Sequence, residues 1–343
     1  MVRLIDVPTL QRFVARRGIE VVLAELTDAI EAAYQRWDEF DKSPRHATHF
    51  DHGVIELMPV ADAKRYACKY VNGHPGNPQH GRMTVAALGI LSDVESGYPL
   101  LVSEMTLLTA LRTAATSAMV ARHCARPDTH TLALVGTGAQ SEFQTLAIGN
   151  ERALRQIRFY DVDPTAMEKY AHNMAEQNLE LLPCGSIAEA VEGADMVTVA
   201  TAIKDRQSLL TPAMLRAGMH INAVGGDCPG KTELDPAVLP ECDIIVEYEP
   251  QTRIEGEIQG SDLPVTEFHE IARGRRAGRL SSDAITLFDS VGFALEDHAA
   301  LNWLYANLRD ATEVDLIPNA EDPRNLFAML QPPAPTYGRA ASF

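Results

Sequence analysis

One stretch constrains the fold more than any other. Residues 131–135 (TLALV) form an uninterrupted apolar run of strand length, followed by Gly136-Thr137-Gly138-Ala139-Gln140-Ser141 and a helix-compatible segment to about residue 150. Strand, tight glycine turn and helix in succession are the opening of a βαβ unit. Gly136 permits the turn, Gly138 lets the backbone approach a pyrophosphate, and the helix N-terminus offers free N–H groups and a favourable dipole. Ser141 stands where the fingerprint has its third glycine and is small enough for close helix–strand packing. A strand-to-helix turn with incidental glycines is the plain alternative. Asp161 argues against it, lying 25 residues after Gly136 at the end of the next candidate strand, 157–160, where a carboxylate accepts ribose hydroxyls. Asp161 and Asp163 would repel the extra phosphate of NADP, with no Arg beside them, so NAD is the expected cofactor. A helix N-cap ahead of Pro164 is the other use for Asp161.

The rest of the chain falls around this unit. Pro8 marks a helix start, and apolar residues at Val22, Leu26, Ile30, Ala33, Trp37 and Phe40 predict an amphipathic helix over 19–41. Residues 47–101 break into short runs rich in β-formers, which predicts an antiparallel sheet, and a long helix is expected over 103–125, ending before Pro127. After the glycine turn, short apolar runs at 157–160, 181, 196–200, 219–224, 244–247 and 285–288 alternate with helical segments. That alternation predicts a parallel α/β sheet. The fold class is α/β: a Rossmann-type NAD-binding domain at 116–309, plus an α+β substrate-binding and dimerisation domain at 1–115 to which 310–343 returns. Residues 332–343 read as an arm. The first sheet has more apolar strand than one helix pair can cover, which predicts a homodimer.

Composition excludes several roles. Of 343 residues, 30 are Lys or Arg and 47 Asp or Glu, a net charge of −17 that repels nucleic-acid phosphates and anionic lipid. The longest uncharged stretches, such as 113–121 and 196–203, fall short of a membrane span. The N-terminus has no apolar leader, so a cytoplasmic location is expected. Five cysteines without a CxxC pair form neither a disulfide framework nor a zinc motif. His46, His49 and His52 have a spacing that would suit metal on a helix, but the local sequence reads as strand and turn, and no metal is expected.

Ligands of open parallel sheets sit at the strand-end loops. The most loaded loop is Asn222-Ala-Val-Gly225-Gly226-Asp227-Cys-Pro-Gly-Lys231, where two glycines bring the backbone close to something and an acid and a base emerge within four residues. A surface turn is its alternative. Asp289-Ser290-Val291-Gly292 follows the last strand and opens a helix. Arg45, Glu56, Lys69 and Arg112 are charged residues on or beside apolar segments, where a solvated face is the ordinary reading of each.

Taken together, 136–140, 222–231, Glu247-Tyr-Glu-Pro-Gln-Thr-Arg253, 288–297, Val54-Ile-Glu-Leu-Met-Pro-Val-Ala-Asp62 and Lys69-Tyr-Val-Asn-Gly-His-Pro75 resemble the ornithine cyclodeaminase/mu-crystallin family, over nearly the whole chain. The resemblance implies conversion of L-ornithine to L-proline and ammonia with bound NAD reduced and reoxidised within one turnover. It implies Arg45, Lys69 and Arg112 for the substrate carboxylate, Glu56 for the distal ammonium and Asp227 for proton transfer, with Lys231 fixing the loop by a charge or backbone contact. For the cofactor it implies Thr84, Thr113, Gly136, Gly138, Ala139, Gln140, Asp161, Ser290, Val291 and Gly292; Thr113 equally fits an ordinary buried hydroxyl. The implied homodimer agrees with the bare sheet. A lysine cyclodeaminase, an NAD-dependent amino-acid or imine dehydrogenase, and a non-catalytic dinucleotide-binding protein of the mu-crystallin kind are the competing readings.

Overall fold

A computed structural model describes residues 1–202 and 206–330. It opens with strand β1 (Val2–Ile5), too short to show a period in the sequence. Asp6 caps helix α1 (Val7–Arg17), accepting the Thr9 amide at 2.9 Å, with Pro8 in the first turn. Helix α2 (Ile19–Gln35) buries Val22, Leu26, Ile30, Ala33 and Tyr34 on one face. It stops short of the expected residue 41: a 3-10 turn at Trp37–Glu39 takes over, and Trp37 and Phe40 enter the core from this tighter geometry.

The first sheet follows in β2 (Asp41–Lys42), β3 (His46–Phe50), β4 (Gly53–Ala61), β5 (Arg65–Gly73), β6 (Val85–Asp93) and β7 (Pro99–Glu104). Strands β4 to β7 form an antiparallel meander, β2 and β3 pair with β4, and β1 joins β7 in parallel. Period-two alternation sends Glu56, Met58, Val60, Ala67, Lys69, Val71, Ala87 and Leu91 to a buried face. Leu57, Tyr66, Tyr70, Leu88 and Ile90 remain exposed. Within β3 an offset of three puts His46 and His49 on opposite faces, which removes the helical spacing that would have suited a metal.

Helix α3 (Thr106–Cys124) starts where the Glu104 carboxylate accepts the Thr106 and Leu107 amides at 2.9 and 3.1 Å, and runs into the second half of the molecule. There β8 (Thr131–Val135), α4 (Ser141–Glu151), β9 (Gln156–Tyr160), α5 (Pro164–Asn173), β10 (Glu180–Pro183), α6 (Ile187–Val191), β11 (Met196–Val199), β12 (His220–Ala223), β13 (Asp243–Val246), α7 (Glu249–Glu255), β14 (Thr266–Glu267), α8 (Phe268–Ala272) and β15 (Thr286–Asp289) follow in turn. Every pairing in this second sheet is parallel, in the order β10-β9-β8-β11-β12-β15-β13-β14. Strands β11, β12 and β15 are buried on both faces, which explains their continuous apolar runs. The expected fold class is therefore observed.

Helix α9 (Ala294–Asn307) leaves this sheet and packs on α2 and strands β4 to β6, with Leu295, Leu301 and Leu304 in the core that also holds Leu26 and Met58. Strand β16 (Thr312–Val314) then pairs antiparallel with β1. Packing on the first sheet thus resumes at α9, earlier than residue 310. The arm expected at 332–343 lies outside the described residues, among which no helix is long and apolar enough to cross a membrane.

Candidate active site

The C-terminal ends of β8, β11, β12 and β15 lie side by side, because these strands are neighbours in the sheet. Strand β8 is also where the winding changes direction, with β9 on one side and β11 on the other, so a crevice opens at its end. Gly136 has φ +98°, and a Cβ there would lie 2.6 Å from the Ala200 carbonyl oxygen, so both conformation and space require glycine. Gly138 is different. It is exposed at the head of α4, and a Cβ on it would meet nothing within 4 Å. Ala139 is exposed beside it and Gln140 precedes the helix. The Ser141 hydroxyl donates to the Gly138 carbonyl at 3.0 Å, which ties the turn to the helix without a third glycine.

Asp161 follows β9 directly and accepts the Thr137 amide at 2.7 Å and the Asp163 amide at 3.0 Å, bracing the glycine turn from the adjacent strand. The N-cap of α5 is Asp163, which accepts the Thr165 amide at 2.9 Å, so that alternative for Asp161 does not hold. Open space over Gly138, the first-turn amides of α4 and a carboxylate at the end of β9 fit the pyrophosphate and ribose of a dinucleotide.

The charged residues of the first sheet are not solvated. Side chains of Arg45, Glu56, Lys69 and Arg112 are 6%, 7%, 1% and 5% exposed. Strand alternation puts Glu56 of β4 and Lys69 of β5 on the inner face, α3 brings Arg112 toward them, and Arg45 enters from the segment before β3. Arg45 pairs with Glu56 at 3.0 Å and Glu255 at 3.1 Å, and donates to the carbonyls of Val291 and Gly292. Lys69 pairs with Asp297 at 2.8 Å; Arg112 pairs with Glu296 at 2.6 Å and Asp297 at 2.9 Å. The resemblance implies Arg45, Lys69 and Arg112 for a substrate carboxylate, and in the ligand-free chain none of the three stands alone. The chain's own acids neutralise each cation, since an unpaired buried charge is far too costly.

Burial pushes the Lys69 ammonium down to about 8, helped by Arg112 and Arg45 and opposed by Asp297. Burial also pushes Glu255 up to about 7 against the pull of Arg45, with Glu56, Asp227 and Glu247 adding repulsion. Glu296 rises to about 7 for the same first reason, despite Arg112. Groups poised near neutrality exchange protons readily, as a reaction that moves amine protons requires.

Asp227, 52% exposed, stands on the loop after β12, with the Lys231 ammonium 3.3 Å from its Oδ1. Lys231 also donates to the Thr201 carbonyl at 3.4 Å, so it braces the loop by both a charge and a backbone contact. The loop after β15 is held from below by Glu247, which accepts the Ser290 hydroxyl at 2.7 Å and the Val291 and Gly292 amides at 3.2 and 3.0 Å. Gly292 lies against Arg112, where a Cβ would come within 3.0 Å of the guanidinium. Thr113 is half-buried one residue past Arg112. Thr84 is half-buried just before β6, its carbonyl accepting the His74 amide at 2.9 Å; among the described residues no hydrogen bond joins it to this cluster.

Sequence reasoning passed over Glu247, Gln251, Glu255, Glu296 and Asp297. Four of these lie inside segments quoted for their resemblance, and an acidic pair opening the otherwise apolar α9 was the available signal. Gln251 joins two parts of the site, accepting the Arg45 amide at 3.0 Å and donating to the Gly292 carbonyl at 2.9 Å.

The family model of the ornithine cyclodeaminase/mu-crystallin family matches residues 9–312. The chain belongs to this family. An ornithine cyclodeaminase of Brucella suis biovar 1 (strain 1330) is 50% identical over 335 residues, covering 96% of this chain and 94% of that protein. Among solved structures, an archaeal alanine dehydrogenase dimer with bound NAD superposes with a TM-score of 0.84 at 28% identity, covering 92% of this chain and 99% of the other. A lysine cyclodeaminase, described for its recognition of L-lysine, L-ornithine and L-2,4-diaminobutyric acid, gives 0.84 at 28% identity and covers 90% and 92%. Family membership thus agrees with the resemblance read from the motifs.

Proposed function

We propose that the protein is an ornithine cyclodeaminase, a lyase that converts L-ornithine to L-proline and ammonia with NAD recycled inside each turnover. The observation that carries this reading is the group of carboxylates at one end of the site: Glu56, Glu255 and Asp227 all act on the single Arg45 guanidinium. Such a surplus of negative charge suits a substrate with a second ammonium, whereas an amino acid such as alanine would leave it unmatched. The 50% identity to an ornithine cyclodeaminase supports the same choice.

NAD would be held by Gly136, Gly138, Ala139 and Gln140 at the head of α4, by Asp161 at the ribose, and by Thr84, Thr113 and the Ser290–Val291–Gly292 loop. Bound there, it would supply a hydride acceptor for the substrate α-carbon and, once reduced, a hydride donor for the cyclic imine. The protein does the rest. Arg45, Lys69 and Arg112 orient the α-carboxylate, for which cations in a fixed array are suited. Glu56 holds the distal ammonium. Each of the two ammonium groups gives up a proton before it reacts, and product proline and ammonium take both back. Asp227 holds one, and Glu255 is placed to hold the other. Lys231 keeps Asp227 in position.

Incubating the protein with L-ornithine and substoichiometric NAD tests this. Proline and ammonia form in equal amounts without NADH accumulation, and Asp227→Asn lowers turnover by roughly 10²–10⁴-fold while NAD still binds. NADH building up with each turnover would make the protein a dehydrogenase, and a preference for lysine, giving pipecolate, would move the substrate by one methylene.

The same reading divides the chain into a substrate-binding unit, 1–115 with 310–343, and an NAD-binding unit, 116–309, with α9 joining the first unit through its packing. It makes the protein a cytoplasmic homodimer joined through the bare face of the first sheet. The exposed Leu57, Tyr66, Tyr70, Leu88 and Ile90 support that surface, and the structural relative described as a dimer supports the assembly.

A further inference from the structure

Beneath the Asp227 loop lies a ladder of buried carboxyls that the reaction above does not use. Asp289, the last residue of β15, accepts the Glu257 and Ile258 amides at 3.0 Å each. Glu257 accepts the Glu233 and Leu234 amides at 2.8 and 2.9 Å. Glu233 in turn accepts the Thr201 hydroxyl on Oε1, while its Oε2 is fully buried without a hydrogen-bond partner. The two glycines of the loop fit over the upper rungs. A Cβ on Gly225 would fall inside the Glu233 carboxyl, and one on Gly226 would collide with Glu257 Oε1. The feature that these glycines approach is therefore a pair of carboxyls of the chain itself.

Burial pushes the Glu233 carboxyl up to about 7, against Lys231 and the Thr201 hydroxyl and with help from Glu257 and Asp227. The charged groups that face it are Lys231 and Asp227 from the loop and Glu257 from the segment after α7, with Asp289 behind Glu257. When Glu233 is neutral, the Lys231 ammonium, 3.3 Å from Asp227, has that carboxylate as its counterion. When Glu233 ionises, it competes for the same ammonium.

We propose that Glu233 is a positioning residue for Asp227: as a neutral carboxyl it shapes the 225–231 loop from beneath and leaves the Lys231 ammonium to Asp227. This rests on Asp227 being the proton-transfer group. Glu233 acts through Lys231 and the Thr201 segment and meets no reacting atom.

The variant Glu233→Gln keeps the shape and removes the ionisation. In the parent, ionisation of Glu233 adds a fall in kcat/KM for ornithine above pH 7 to the change that Glu255 makes there; in Glu233→Gln that added fall is gone, so the alkaline limb lies higher relative to the acid limb than in the parent, and below pH 7 kcat stays within about threefold of the parent. Carbon-13 NMR of the ligand-free protein, labelled at the glutamate carboxyls, gives a readout independent of turnover. One resonance titrating near pH 7 disappears in Glu233→Gln, and in Lys231→Met its midpoint moves to higher pH because the neighbouring cation is lost. An alkaline limb unchanged in Glu233→Gln, or a midpoint unmoved in Lys231→Met, overturns the proposal. Should Glu233→Gln fail to fold, the Lys231→Met titration still decides it. Full turnover in Asp227→Asn would bring down the proton-transfer reading itself, and with it the role of Glu233.

Discussion

Asp161 braces the glycine turn and, on the proposed function, also accepts the cofactor ribose. Its carboxylate already accepts the Thr137 amide and hydroxyl and the Asp163 amide, and it remains partly exposed at the end of β9. Replacing it with alanine removes a ribose acceptor and leaves the Thr137 amide unpaired, so Asp161→Ala weakens NAD binding by about 1.5–3 kcal/mol, roughly 10- to 100-fold in Kd. Isothermal titration reads this directly, and an unchanged Kd would remove Asp161 from the cofactor site. The residues of the charged cluster were legible only in part. Arg45, Glu56, Lys69 and Arg112 stood out as charges on apolar segments. Their partners Glu255, Glu296 and Asp297 did not, because the pairs span 184 to 228 positions and only the tertiary fold brings them together. Burial of the four was likewise invisible: a charged residue on a strand is ordinarily solvated, and the acids that make burial tolerable lie elsewhere in the chain.

At the scale of elements, the glycines of the β8–α4 turn separate folding from binding. Gly136 has a positive φ and touches the end of β11, so Gly136→Ala destabilises the ligand-free protein by about 1–3 kcal/mol. Gly138 has open space around it, so Gly138→Ala leaves ligand-free stability within about 0.5 kcal/mol of the parent and instead weakens NAD, because the added methyl occupies the approach to α4. Urea unfolding beside NAD titration distinguishes the two, and equal loss of stability in both variants would contradict the separation. The β8–α4–β9 unit was readable because strand, glycines and acid are local in sequence. Strand β1, the early end of α2 and the attachment of α9 to the first sheet were not. β1 has four residues and no period, the end of α2 is decided by how Trp37 and Phe40 pack, and α9 is buried on nearly all sides, which erases the amphipathic stripe that assigns a helix to a surface.

On the scale of the whole molecule, the net charge of −17 extends inward. The site gathers Arg45, Lys69, Arg112 and Lys231, but the more numerous Glu56, Asp227, Glu247, Glu255, Glu296 and Asp297 surround them, a surplus of negative charge that burial narrows by pushing Glu255 and Glu296 up to about 7. That surplus favours a substrate with one net positive charge, as ornithine has. The outer face of the first sheet makes a second statement about the whole molecule. Leu88→Glu puts a charge at the centre of that apolar patch and yields a monomer in sedimentation equilibrium where the parent sediments at twice the chain mass; a dimer that survives the change would place the interface elsewhere. In the proposed reaction one hydride leaves the α-carbon and comes back within the same turnover. Turnover of L-ornithine carrying deuterium at the α-carbon, followed by mass spectrometry of the proline formed, tests it most directly. Proline retaining the deuterium at its α-carbon, with the NAD pool present in less than one equivalent, is the predicted result. Proline with hydrogen at that carbon, or label accumulating in free NADH, would contradict it.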